Sequence, residues 1–244
     1  VETNAKENLL RTLFEVPDIG LKTLRDLTSK DIYKILISQN EPYINSKDYW
    51  KYEMFPGLDL DWDVWFKVNF NSKILPRKCK DFNLKLFHGW LSTESRLSRM
   101  GYSDGLCKCC QREKENVEHL LINCQYRLQI WKLLEKALRK SFDKIFSLSR
   151  KEIIAGFFQK TESNETQIIN MCIGITRFHL WKTRNSIRED DETITYINCS
   201  MFLKHKIIDH VNILLSSETT DGGIKQLLPK VVDGITEVFA IDNM

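Results

Sequence analysis

The twenty residues GLCKCCQREKENVEHLLINC, Gly105–Cys124, hold four of the chain's seven cysteines and one of its five histidines. Ligand-type side chains fall at Cys107-x2-Cys110-x8-His119-x4-Cys124. A Cys-x2-Cys turn sets two sulfurs on one side of a tight loop. Backbone N–H groups there can donate to the thiolates that zinc requires. A second ligand pair downstream closes a tetrahedron. On a continuous α-helix, at about 100° per residue, His119 and Cys124 would lie about 140° apart and could not face one ion. The helix carrying His119, Leu120 and Leu121 should therefore stop before Cys124, with a turn at Asn123, a residue type that tolerates one. Four protein ligands leave no open position for water, so the expectation is one structural zinc ion, not a catalytic one. Cys109 competes with Cys110, but the spacing favours Cys110 and leaves Cys109 a free thiol. An odd cysteine count with no secretory leader in VETNAKENLL argues against a disulfide framework.

Outward from this stretch, the surrounding sequence is basic. Residues 71–151 carry eighteen Lys/Arg against eight Asp/Glu, a net +10, whereas residues 1–70 carry −3 and residues 152–244 carry −4. An excess of that size gives an anionic partner the same weight as a merely solvated helical surface. The candidate phosphate contacts near the knuckle are Arg77, Lys78, Lys80, Lys85, Arg96, Arg99, Lys108, Arg112 and Lys114. The helix after it adds Arg127, Lys132, Lys136, Arg139 and Lys140. Tyr102 and Tyr126 could stack on unpaired bases, although packing beside the knuckle is the preferred reading. Trp90 and Trp131 are expected in the core.

Ten Gly and five Pro in 244 residues, with abundant Leu, Ile, Lys and Glu, point to a mainly α chain. The expected fold is an irregular helical assembly with a small zinc-knuckle loop inserted between helices. Apolar periodicity predicts helices over Ala5–Val16, Leu24–Ser38 (capped by Thr28 or Ser29), Lys78–Leu91, Tyr126–Ser141 and Arg150–Phe158. Further helices are expected over Thr166–Ile187, Ile194–Leu215 and Ile224–Ile241, the last bent or started near Pro229. A short helix capped by Ser92 or Thr93 should end at Gly101. Gln39–Lys51 is expected to be a loop. GLDLDWDVW, Gly57–Trp65, has three alternating acids but lacks the central Gly and closing Glu of a calcium loop, so Asp61 or Asp63 is assigned to a helix cap. Three regions are expected: 1–56, helical and a linker from upstream; 57–145, basic with the knuckle; and 146–244, helical. Residue 1 is Val, so the chain is expected to be a piece of a longer one. No apolar run approaches the ~18 residues of a membrane span, and no membrane partner is expected.

LKLFHGWLSTESRLSRMGYSDGLCKCCQREKENVEHLLINCQYRLQIW, Leu84–Trp131, resembles the zinc-binding segment of non-LTR (LINE-type) retrotransposon reverse transcriptases. The resemblance is carried by Phe87 and Trp90, Arg96-Leu97, Cys107 and Cys110, Glu115, Glu118-His119-Leu120, Cys124 and Trp131. Leu180-Trp181-Lys182-Thr183-Arg184-Asn185 resembles a further landmark of that family, a Trp-Lys-x-Arg-Asn run on a long helix. The resemblance implies a place at the C-terminal end of such a polymerase, after fingers, palm and thumb. It implies a role in gripping element RNA or target DNA during target-primed reverse transcription. The partners so implied are RNA or DNA and the upstream polymerase region, in a ribonucleoprotein of nucleus and cytoplasm.

Polymerase chemistry itself needs paired carboxylates for two metal ions. The nearest string, Tyr102-Ser103-Asp104-Gly105, has one Asp and is read as a connecting turn. No nuclease pattern, Gly-rich phosphate loop or nucleophile elbow is present. His88, His179, His205 and His210 are read as packing or surface residues. The rival reading is a structural or protein-interaction zinc module, including one kept by a host protein.

Overall fold

Helix-favouring composition is realised as helix in most of the chain, which is mainly α. The computed structural model describes residues 13–16, 19–23, 26–32, 35, 50, 61–157, 163–189 and 195–241. The chain divides into two compact units, Val1–Asp48 and Tyr49–Met244.

In the first unit, β1 (Leu13–Val16) pairs antiparallel with β2 (Gly20–Thr23), with Val16 opposite Gly20 and Leu13 opposite Thr23. This corrects the helix expected over Ala5–Val16, whose last four residues are strand. The signal lay at the end of that run: Val16 precedes Pro17, which biases it to extended backbone. Gly20 then takes φ +103°, closed to most other residues. Residues 29–32 and Ile35 are helical. Thr28 caps that turn: its hydroxyl accepts from the Asp31 N–H (3.2 Å), while the Asp31 carboxylate accepts from the Thr28 N–H (2.9 Å). Lys22 pairs with Asp31 at 2.9 Å. The remainder of the helix expected over Leu24–Ser38, and the Gln39–Lys51 loop apart from Trp50, lie outside the described residues.

The second unit holds α1 (Trp62–Asn69), α2 (Arg77–Phe87), α3 (Glu94–Arg99), α4 (Gln125–Phe142), α5 (Arg150–Ala155), α6 (Asn164–Glu189), α7 (Tyr196–Ser216) and α8 (Gly222–Ile241). Regions 57–145 and 146–244 share one hydrophobic cluster, from Trp65 and Phe82 through Leu134 and Ile173 to Leu203 and Val231. The caps are local and legible. Asp61 accepts from the N–H groups of Asp63 and Val64. Thr93 accepts from Arg96, Ser149 and Glu152 form a capping box, and Thr195 accepts from Asn198. Ser163 caps α6: its hydroxyl accepts from Thr166 N–H at 3.1 Å. α5 stops at Ala155 because Gly156 takes φ +100°, earlier than the expected Phe158, which lies outside the described residues. α8 runs from Gly222, where Asp221 caps it, and continues through Pro229, so it does not start there.

Long helix α6 is the spine. α1, α2 and α4 pack on it, and α8 lies across α4 and α7. The α4–α8 crossing is close because Gly234 faces Ala137 and Ser141: a Cβ there would stand 2.3 Å from Ser141 Oγ and 2.7 Å from the Ala137 carbonyl oxygen. Polar groups inside this core are tied to helix ends. Arg177 donates to the Ile154 carbonyl oxygen at the end of α5 and, at 2.8 Å, to Asn69 Oδ1. Asn69 in turn donates to the Ala155 carbonyl oxygen at 2.8 Å. A buried cation thus sits where α5 leaves carbonyls unpaired. Trp50, Trp62, Trp65, Phe66, Phe70 and Phe87 form an aromatic group beneath α1 and α2, with Trp50 Nε1 donating to the Phe87 carbonyl oxygen at 2.9 Å. No described helix is long and apolar enough to cross a membrane.

Candidate metal centre

The knuckle is built as a small two-rung loop. Leu106 bridges Lys114, Cys107 N–H donates to the Glu113 carbonyl oxygen (2.8 Å), and Glu115 N–H donates to the Gly105 carbonyl oxygen (2.9 Å). Inside these rungs the chain reverses, with Gln111 N–H on the Cys107 carbonyl oxygen and Gln111 itself at φ +54°. The reversal aims the N–H groups of Cys109 and Cys110 at Cys107, as the Cys-x2-Cys spacing requires. Cys109 and Cys124 also donate to the Cys107 sulfur, and these bonds hold that thiol far below its ordinary pKa. Cys109 and Cys124, as the donors, are held above theirs.

The other half of the site comes from a π-helical turn, His119–Asn123. The spacing required the helix to end before Cys124. The chain does become extended at Cys124 (ψ 128°), but the turn before it is wider than α, with Cys124 N–H on the His119 carbonyl oxygen five residues back at 3.2 Å. The wider turn brings residues five apart toward one side, which an α-turn cannot do. Its free carbonyls are taken up locally: Trp131 Nε1, in α4, donates to the Leu121 carbonyl oxygen at 2.7 Å. Trp131 is core, as expected.

Cys107, Cys110, His119 and Cys124 bring their ligand atoms within 4.8 Å of one another. Cys110 Sγ stands 3.3 Å from His119 Nε2. With Zn–S of about 2.3 Å and Zn–N of about 2.0 Å, a tetrahedron needs an S···N distance of about 3.5 Å, so the donor set fits one zinc ion. Three thiols and one imidazole fill the coordination shell, and the ion would cross-link the 105–115 loop to the π-turn without an open position for chemistry. His119 Nδ1 faces the Glu113 carboxylate at 3.2 Å. That bond leaves Nε2 for the metal. Asn116 Oδ1 accepts from the His119 backbone N–H at 2.7 Å. Glu113 was not picked out by sequence; a search for a carboxylate near the ligand histidine would have found it.

Residues 27–131 match the family described as zinc-binding in reverse transcriptase. The match spans all four ligands, Glu113 and Trp131. No curated protein and no solved structure matches the chain.

The knuckle is anchored to the core by a buried ion cluster. Arg184, from the Trp181-Lys182-Thr183-Arg184-Asn185 run on α6, is 0% exposed, as is Glu115. Its NH2 reaches Glu115 Oε1 at 2.5 Å and Glu94 Oε1 at 2.8 Å, and its Nε reaches Glu115 Oε2 at 3.1 Å. Glu115 also accepts from Glu94 N–H (3.0 Å), at the start of α3, and Ser103 Oγ donates to Glu94. Burial raises the Glu115 pKa, opposed by the bonds from Arg184. Two landmarks from separate parts of the sequence, Glu115 and Arg184, are therefore one contact. Tyr102-Ser103-Asp104-Gly105 is a connecting turn, with Leu106 N–H on Asp104 Oδ1 at 2.9 Å.

The candidate phosphate contacts divide by exposure. Arg77, Lys78, Lys85, Arg99, Arg112, Lys114, Lys132 and Lys136 are exposed, and Lys80, Arg96 and Lys108 are half-buried. Arg127 leaves the set: it is only 3% exposed and its NH2 donates to Cys109 Sγ at 2.9 Å. It supports the knuckle from α4 and is not on its surface. Two aromatic expectations are also corrected. Trp90 is 58% exposed, because it follows α2 and does not lie on its buried face, and Tyr102 is 80% exposed. His179 and His210 pack: the first bonds the Cys199 carbonyl oxygen (3.1 Å), the second the Ile74 carbonyl oxygen (2.7 Å).

Proposed function

We propose that this chain is a non-catalytic, zinc-stabilised nucleic-acid-binding segment of a reverse transcriptase of the non-LTR retrotransposon kind. On this reading it is the C-terminal portion of such a polymerase and grips template RNA or target DNA during target-primed reverse transcription. Its partners are then the nucleic acid and the upstream polymerase region, within a ribonucleoprotein of cytoplasm and nucleus. The observation that carries the reading is the set of exposed cations on α2, α3, the knuckle and α4, in a region whose metal site has a closed ligand set. The match to a zinc-binding segment of reverse transcriptases supports it. With no position for chemistry at the metal, the zinc fixes the loop that presents Arg112 and Lys114, while α2 and α4 present Lys78 and Lys136.

Cations in such an array bind phosphate with little sequence information and strong salt dependence. The test is titration of labelled RNA and DNA at about 50 mM and about 200 mM salt. The comparison is with a variant carrying Lys78→Glu, Arg112→Glu, Lys114→Glu and Lys136→Glu. Wild type should bind more tightly at low salt, and the reversed variant should lose most of its affinity. Equal binding by the two proteins would reject the reading in favour of a structural or protein-interaction module.

A further inference from the structure

Three of the six tryptophans, Trp50, Trp65 and Trp131, are buried. Trp90 is held in water by the backbone around it. α2 ends with His88, and Gly89 takes φ +63°. Trp90 N–H then returns to the Lys85 carbonyl oxygen (2.8 Å) and Gly89 N–H to the Leu86 carbonyl oxygen (3.1 Å). This is the paired closure of a helix by a left-handed glycine. Such closures ordinarily fold the residue in Trp90's place over an apolar side chain one turn back. Here the residue it bonds is Lys85, and the indole instead lies parallel to the His88 ring, centroids 4.5 Å apart and planes at 20°. A third bond fixes the turn from the side: Arg96 NH1, on α3, donates to the Gly89 carbonyl oxygen at 2.6 Å. The outcome is a pinned, flat aromatic stack with one indole face against imidazole and Trp90 58% exposed. The turn is held by the backbone of Lys85, whose ammonium lies over the Trp181 ring, and by the side chain of Arg96.

We propose that Trp90, stacked on His88 in a turn fixed by Arg96, is a base-stacking platform that makes this surface prefer single-stranded to duplex nucleic acid. The proposal rests on the nucleic-acid reading above and deepens it. An unpaired base has an exposed π-face of the right shape to continue the indole–imidazole stack, and its phosphates suit the exposed cations of α2 and α3 such as Lys78 and Arg99. In a duplex both faces of each base are already covered, so the platform offers it nothing. The net +10 of residues 71–151 supplies the charge complementarity.

The test measures affinity by fluorescence anisotropy for four labelled probes: a mixed-sequence RNA single strand, the DNA single strand, a duplex, and a DNA strand of abasic sites. Trp90→Ala should weaken both base-bearing single strands about tenfold, in line with loss of one base–aromatic stack. It should leave the duplex and the abasic strand unchanged within a factor of about two, and Trp90→Phe should recover most of the loss. Zinc content and helical circular dichroism, matched to wild type, show that the variants are folded. If wild type binds none of the probes, the nucleic-acid reading fails and the platform with it. If wild type binds but Trp90→Ala binds the base-bearing strands equally well, the platform alone is overturned. Equal losses on all four probes would also overturn it, since abasic strands have nothing to stack.

Discussion

Arg184→Met removes the cation from the buried cluster that ties the knuckle to α6. In the folded protein this leaves Glu94 and Glu115, both buried, facing each other without their shared partner. Deleting one partner of a buried ion pair costs about 3–5 kcal/mol, chiefly because the remaining charge stays desolvated. Methionine keeps much of the volume, so a cavity adds little. Urea unfolding followed by circular dichroism should show wild type more stable by about 3 kcal/mol or more. The pH dependence fixes the cause. Glu115 has its pKa raised above 4.5 by burial, so the folded state holds its proton more tightly than the unfolded state. Its ionisation therefore lowers stability as pH rises from the unfolded value through the folded one. Removing Arg184, which lowers that pKa, widens the window. The deficit of Arg184→Met should then be largest near neutral pH and narrow as the solution is acidified. A deficit below about 0.5 kcal/mol at neutral pH, the level of ordinary surface substitutions, would refute the argument. So would a deficit that does not change with pH.

Other substitutions test other joints. Glu113→Ala should weaken zinc binding about 10- to 100-fold in a chelator competition, because it removes the acceptor that orients His119 Nδ1–H. Gly234→Ala should destabilise by about 1–3 kcal/mol in urea unfolding despite the better helix former, since the new Cβ meets the Ala137 carbonyl oxygen at 2.7 Å. Cys79 and Cys172, both pushed up to about 12 by burial, should resist alkylation at neutral pH in the native protein and react on unfolding, as mass spectrometry of labelled peptides would show.

Much of the fold and of the metal centre was legible because it is local. Cap residues such as Asp61 and Thr93 act within three residues of themselves, and ligand spacing states its own geometry. The metal ligands were found by chemistry that tolerates few substitutes. What stayed hidden depended on contacts between distant segments. Nothing near Glu115 announces Arg184, although the two meet as a buried pair. Arg127 reads as surface when charge is weighed without burial; its partner is the spare thiol Cys109. Trp90 reads as core only if helical periodicity continues past Gly89, but the helix ends at Phe87. The strand at Leu13–Val16 reads as helix because a short apolar run fits either period; Pro17 is the signal that favours extended backbone before it. The π-turn solved a problem that the spacing had posed correctly but with too narrow a choice of helix.

The most direct check on the whole account is the zinc-to-protein ratio, measured by inductively coupled plasma mass spectrometry on purified wild type, Cys110→Ser, His119→Ala and Cys109→Ser. The closed four-ligand knuckle predicts one zinc per chain in wild type and in Cys109→Ser, and loss of zinc from Cys110→Ser and His119→Ala. Full zinc in both Cys110→Ser and His119→Ala, or loss of zinc from Cys109→Ser alone, would contradict it.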